Sequence, residues 1–164
     1  MLLGIVGDTH NNLKNISKIC EIFNERKVDL VVHTGDVTLP KSLEAFKNLN
    51  CKIIVVLGNN DCEEKEGLKK VSEKFNCKLE EEPFKIELSK KVISVLHHPE
   101  LINNELLNSS DIIFHGHTHR YRNEIINDTL IFNPGECAGI ISGKNQIGIL
   151  DLNTLEPELL NFWF

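Results

Sequence analysis

At 164 residues the chain has the size of one domain, for which about 150 residues is usual, and residues 1–164 read as a single domain with no room for a second. With 41% hydrophobic and 26% charged residues it has the composition of an ordinary globular domain, which excludes a disordered or fibrous chain. A net charge of −6 without a long basic run excludes a broad electrostatic footprint for nucleic acid.

The first apolar run, Leu2 to Val6, lacks a charged leader and a cleavage site and runs directly into Asp8 and His10, so it reads as a strand rather than a signal peptide. Leu13 to Arg26 then carries helical spacing, Leu30 to His33 is a strand, Lys41 to Asn48 a helix and Lys52 to Leu57 a strand. This is a βαβαβ unit, to which Glu63 to Phe75 adds a third helix. Beyond it the character changes. Short strands over Phe84–Leu88, Val92–Leu96, Ile112–Phe114, Glu124–Ile126, Leu130–Phe132 and Gln146–Leu150 follow closely, interrupted by one helix near Glu100 to Leu107. The pattern predicts an α/β fold of two packed mixed sheets with helices outside. The run Glu80-Glu81-Glu82 reads as a solvated turn before Pro83. The last residues, Leu159 to Phe164, read either as the end of the core or as a self-association patch.

No apolar run approaches the ~18 residues of a membrane span. Five cysteines, none in a Cys-x-x-Cys pair, argue against a disulfide framework or a thiolate zinc site and fit a reducing cytoplasm.

All seven histidines fall at or just beyond the C-terminal end of a predicted strand. Ligands of open α/β sheets bind outside the carboxyl ends of the strands, so the imidazoles gather at the edge where a site is expected. Five short motifs deliver them: Gly7-Asp8-Thr9-His10, Gly35-Asp36, Gly58-Asn59-Asn60-Asp61, His97-His98 and Gly116-His117-Thr118-His119. In extended backbone, residues i and i+2 point to the same side, so Asp8 with His10 and His117 with His119 can each aim two donors at one point. Glycine beside a ligand permits close approach. Taken singly an Asp-x-His is weak evidence, whereas five such motifs in order, each ending a strand, point to a metal centre.

Through these motifs, essentially along its whole length, the chain resembles the calcineurin-like metallophosphoesterases, in particular their compact bacterial and archaeal phosphodiesterase branch. The resemblance implies a four-layer αββα sandwich holding two divalent metals. Carried over by position, Asp8, His10 and His119 would bind one metal, Asn59, His97 and His117 the other, and Asp36 would bridge them. It further implies hydrolysis of small phosphodiesters by in-line attack of a metal-bridged hydroxide. Four imidazoles suit manganese, nickel, cobalt, iron or zinc better than magnesium or calcium.

Two positions depart from the family. Many members carry His after the metal-binding Asn, where it serves the leaving group or the phosphate, but here the residue is Asn60. An amide cannot act as a general acid, which favours diesters with acidic leaving groups over monoesters. His98 stands where the family usually has a small residue and is a candidate to replace the missing acid. Asn60, Asn12 and Arg120 are candidate substrate contacts. Asn11 and Arg122, beside the same motifs, read more simply as solvated loop residues. His33 and His115 read as buried structural residues, Asp61 as a group that orients its neighbours or caps a helix, and Cys62 as no nucleophile, since no base is spaced to activate it. The competing readings are a non-catalytic metal-binding scaffold for protein partners, a phosphomonoesterase, and a nuclease, the last disfavoured by the missing basic surface. Homo-oligomerisation stays open.

Overall fold

The computed structural model describes residues 1–141 and 144–163. In chain order the elements are β1 (Leu2–Val6), α1 (Leu13–Glu25), β2 (Leu30–His33), α2 (Pro40–Ala45), β3 (Lys52–Val56), α3 (Lys65–Ser72), β4 (Cys77–Glu80), β5 (Phe84–Leu88), β6 (Lys91–Val95), α4 (Asn104–Asn108), β7 (Ile112–Phe114), β8 (Arg122–Ile126), β9 (Thr129–Asn133), β10 (Gln146–Asp151) and β11 (Pro157–Asn161). Short 3-10 segments stand at Phe46–Asn48, Asn59–Glu64 and Pro99–Leu101.

Strand alternation decides how these elements stack. In β1, Leu3 and Ile5 face a second sheet while Val6 faces the helices; in β3, Ile54 and Val56 face inward and Ile53 and Val55 outward. The first sheet has the order β11-β10-β1-β2-β3-β4, parallel from β1 to β4, with β10 antiparallel to β1 and β11 antiparallel to β10. The second has the order β5-β6-β7-β9-β8, with a parallel centre and antiparallel edges. Between them Leu3, Ile5, Val32, Ile54 and Val56 meet Ile93, Val95, Phe114 and Phe132. Ile16, Ile19 and Phe23, at helical spacing, seat α1 on the outer face of the first sheet, where α2 and α3 also pack. Leu106 and Leu107 of α4 cover Leu96, Ile113 and Ile131 of the second. The result is the expected αββα sandwich.

Gly4 illustrates how closely the outer layers sit. A Cβ at this position would lie 2.8 Å from Cε1 of Phe23, which is itself fully buried in α1. Gly4→Ala is therefore expected to cost about 1–3 kcal/mol through overpacking, read as a lowered denaturant midpoint at unchanged slope.

Two strands were not foreseen from the sequence. Both β4 and β11 lie at edges of the first sheet. The segment Cys77-Lys78-Leu79-Glu80 is too short and charged to stand out, and β11 begins with Pro157, a residue tolerated at the start of an edge strand. The predicted helix over 41–48 ends its α-helical part at Ala45 and continues as 3-10, and that over 63–75 narrows to α3. In the terminal run, Phe162 is buried and Trp163 is 64% exposed, while Phe164 lies outside the described residues. Among the described residues no helix is long and apolar enough to cross a membrane.

Register places the site. Val6 pairs with His33 and His33 with Val55, so β1, β2 and β3 end level with one another. Val95 pairs with Phe114, so β6 and β7 do the same in the second sheet. The segments that follow these strands carry the five motifs.

Candidate metal centre

The backbone at the ligand positions differs from the expectation. Asp8 (φ 50°), His10 (φ 44°), Asp36 (φ 61°), His117 (φ 70°) and His119 (φ 56°) are all left-handed rather than extended. Each such residue costs of order 1 kcal/mol or more and persists only where its surroundings hold it, a pattern that clusters at functional sites. Here the holding bonds are visible: Asp8 N–H donates to the Gly35 carbonyl at 3.0 Å and His10 N–H to the Asp36 carbonyl at 2.8 Å. Convergence of i and i+2 thus comes from paired kinks, not from extended strand. Gly35, at φ 103°, is required in another way, because a Cβ there would lie 2.6 Å from Nδ1 of His97.

Two groups of donors result. Oxygen and nitrogen atoms of Asp8, His10 and His119 lie within 4.8 Å of one another, and His119 Nε2 is 3.4 Å from Asp8 Oδ1. In the second group, Asn59 Oδ1, His97 Nε2 and His117 Nδ1 are mutually 3.1–3.2 Å apart. Asp36 Oδ2 stands between the groups, 3.9 Å from His10 Nε2 and 3.4 Å from His97 Nε2. Asp8, Asp36 and His97 are buried, whereas Asn59 and His117 are exposed at the rim.

The hydrogen bonds show that this set wants a cation. His97 Nδ1–H donates to the Thr34 carbonyl at 2.8 Å, which in the neutral ring leaves the lone pair of Nε2 aimed at Asn59 Oδ1 and Asp36 Oδ2. Acceptors facing acceptors repel unless a proton or a metal ion lies among them, and a backbone carbonyl on the far nitrogen is the usual support of a metal-ligating imidazole. His10 repeats the arrangement: its Nδ1 lies 3.3 Å from Thr38 Oγ1, and its Nε2 is buried without a partner. In the metal-free protein a proton on His97 takes the place of the ion: its hydrogen bond and charge, with the two donors of Asn60, hold the Asp36 carboxyl well below the usual range, although burial by itself would raise it. Asp36 is therefore an anion in the folded protein.

Around the donors sits a supporting layer. Asp61, the reading of which as an orienting group matches its position, accepts from the N–H groups of Asp36 (2.9 Å), Thr38 (2.5 Å) and Gly58 (2.8 Å). His33 receives the Gly35 N–H on Nδ1 at 3.1 Å, so its Nε2–H points to Thr9 Oγ1 at 2.9 Å, and the ring stays neutral. Burial pushes its pKa from 6.5 down to about 4, against the opposing charges of Asp8 and Asp36. The sign follows: below pH 6.5 the unfolded chain takes up a proton that the folded one refuses, so stability is fully present above 6.5 and lost as pH falls toward about 4. The metal-free protein is expected to lose about 3 kcal/mol on this account, and His33→Gln to flatten the fall, as urea titrations between those limits will show. His115 is likewise buried, its pKa lowered by burial.

Of the remaining sequence candidates, Asn60 is at the centre and the others have separate engagements or stand at the surface. Asn60 donates to Asp36 twice, from Nδ2 (2.7 Å) and from the backbone N–H (2.9 Å). Asn12 caps α1, accepting from Asn15 N–H, and its Nδ2 donates to the Ala138 carbonyl, so both side-chain groups are engaged. Arg120 is exposed beside His119. Asn11 accepts from the Ser42 hydroxyl, Arg122 from its Nε bonds Glu124, and Cys62 is exposed near the Gly58 carbonyl.

Glu82 corrects the expectation of a plain solvated turn. Its Oε2 accepts from the N–H groups of His97 (2.7 Å) and His98 (2.9 Å), and its Oε1 lies 2.5 Å from His98 Nδ1. Burial raises the pKa of Glu82, but these donors more than reverse that and hold it ionised. His98, so fixed, lies close enough to His97 and His117 to be a further nitrogen donor of the second group. No sequence pattern marks this role, since Glu82 reaches the site only through the pairing of β5 with β6.

Comparison with known proteins supports the same reading. The sequence model of the calcineurin-like phosphoesterase superfamily domain matches residues 1–155. Phosphodiesterase MJ0936 of Methanocaldococcus jannaschii is 38% identical over 162 residues, covering 95% of this chain and 96% of its own. Phosphodiesterase YfcE of Escherichia coli is 28% identical over 179 residues, with 98% and 93% covered. The solved structure of an archaeal phosphodiesterase superposes with a TM-score of 0.87 at 35% identity, over 99% of this chain and 100% of that one. A Vps29 variant from Entamoeba histolytica, with a TM-score of 0.68 at 20% identity and 99% of both chains covered, shares the fold alone. The chain belongs to the calcineurin-like phosphoesterase superfamily.

Proposed function

We propose that this enzyme, a phosphoric diester hydrolase, cleaves small phosphodiesters at a centre of two divalent transition-metal ions. The observation that carries the reading is the inward convergence of lone pairs, with His10 Nε2 buried and unpartnered and His97 Nε2 facing acceptors. Asp8, His10 and His119 would hold one ion, Asn59, His97 and His117 the other, and Asp36 would serve both. Four imidazoles favour manganese, nickel, cobalt, iron or zinc. When bound, such ions lower the pKa of water and stabilise charge on phosphoryl oxygens.

The chain's own residues do the rest. Thr34 and Thr38 orient the imidazoles, Asp61 fixes the backbone of Asp36, and Asn60 holds its carboxylate. The exposed rim at Asn59, Asn60, His117 and Arg120 admits a substrate from solvent, and Arg120, next to His119 in sequence, would be the cation to meet a phosphate oxygen. All five cysteines are free, in keeping with a reducing cytoplasm. A partner-binding scaffold would have no need of donors at all seven ligand positions.

The test uses metal-stripped protein re-supplied separately with manganese, nickel, cobalt, zinc and magnesium, assayed on an activated aryl diester and the matching monoester. Diester turnover that needs a transition metal and disappears in His117→Ala is expected. Metal binding by calorimetry without turnover for any ion would favour the scaffold.

A further inference from the structure

Beside the second donor group lies a cavity of about 360 Å³ whose lining includes Leu57, Asn59, Cys62, Lys65, Glu81 and His98. It opens directly from the candidate centre, because Asn59 and His98 belong to both. A neighbouring cavity of about 300 Å³ shares Leu57, Lys65 and Glu81 and continues toward Lys69 and Glu73. The ion pair of Lys65 with Glu81 stands where the two meet.

The lining selects for chemistry. Lys65 is paired with Glu81, and Glu82 is taken up by the His97 and His98 N–H groups and by His98 Nδ1. An anionic occupant would meet the carboxylates of Glu81 and Glu82, and a cationic one would meet the metal ions of the proposed centre. Leu57 and the Cys62 thiol give the cavity apolar surface, and the His98 ring, fixed by Glu82, offers a flat wall. The size is at the small end of organic-ligand sites, enough for one ring system.

Resting on the diesterase reading, we propose that this cavity is the subsite for one ester group of the substrate, and that the group it takes is uncharged, flat and aromatic. The phosphate is held at the donor groups, and the organic substituent lies over Leu57 and Cys62 against His98. The Lys65–Glu81 pair then limits its length. The enzyme would prefer aryl or heteroaryl diesters to methyl diesters for reasons of binding, separately from leaving-group chemistry.

The test uses stable phosphonates, which place one substituent beside the anchored anion. With the metal-loaded protein, phenylphosphonate is expected to bind about tenfold or more tightly than methylphosphonate, and to slow alkylation of Cys62 by iodoacetamide by a similar factor, Cys62→Ala identifying the labelled site. Cys62→Trp, which fills the cavity, should erase the preference for phenyl. Because the alkylation readout uses the unaltered chain, the test stands even where that variant fails to fold. Equal affinity for the two phosphonates, or unchanged alkylation under saturating phenylphosphonate, would overturn the subsite while leaving the diesterase reading intact. Failure of both phosphonates to bind, together with no diester turnover, would remove the function itself and the subsite with it.

Discussion

Asp36→Asn is expected to lower kcat/KM for an activated aryl diester by roughly 10³-fold, with a parallel loss of metal affinity measured by calorimetry. Asp36 is 2% exposed, ionised, and its Oδ2 faces both donor groups. The amide has nearly the same shape but no charge, and it presents only one acceptor oxygen where the carboxylate has two. Asn60 now donates to both carboxylate oxygens, so one of these contacts would become donor against donor. The fold should persist, since Asp61 holds this stretch through the Asp36 backbone N–H and not its side chain. A loss under tenfold with unaltered metal binding would overturn the proposal that Asp36 serves both donor groups as a ligand.

The architecture was largely readable from pattern alone. β1, β2, β5 and β7 have the expected ends because each is a run of apolar or alternating residues bounded by polar ones. What escaped were the edges. β4 and β11 are strands because β3 and β10 offer them unpaired backbone groups, a tertiary cause that leaves little trace in Cys77–Glu80 or Pro157–Asn161. Helix ends drifted for a similar reason: the residues from Asn59 to Glu64 wind as 3-10 so that Asp61 can turn back onto Gly58, Asp36 and Thr38.

The site was legible in its residues but not in its mechanics. Aspartates and histidines at strand ends pointed to the donors, and the structure brings all seven together. The extended i, i+2 geometry assumed for Asp8 with His10 and for His117 with His119 was the wrong local cause, because the left-handed kinks at Asp8 and His10 are held by bonds to residues distant in sequence, Asp8 N–H to Gly35 and His10 N–H to Asp36. Glu82 was hidden in an acidic run that composition alone assigns to solvent. Asn12, chosen for its place beside a motif, instead caps α1 and binds the Ala138 carbonyl.

Leaving-group acidity is expected to govern the rate. A positioned proton donor usually contributes about 10²–10⁴-fold, and Asn60 has no titratable proton with which to supply it. Its amide also has another task, donating to Asp36 Oδ2 at 2.7 Å. A diester that expels 4-nitrophenolate should therefore outpace one of similar size that expels an alkoxide by at least about 10²-fold beyond the ratio set by binding. Asn60→Ala separates the two roles. If Asn60 positions the carboxylate, the variant loses about tenfold on every ester alike, and the slope of log kcat against leaving-group pKa stays unchanged. Were His98, held by Glu82, to supply the proton instead, the gap between the two esters would shrink, and His98→Ala would restore it and steepen the slope. A slope that Asn60→Ala changes would make Asn60 a participant at the leaving group, and one that His98→Ala leaves untouched would return His98 to the wall of the cavity.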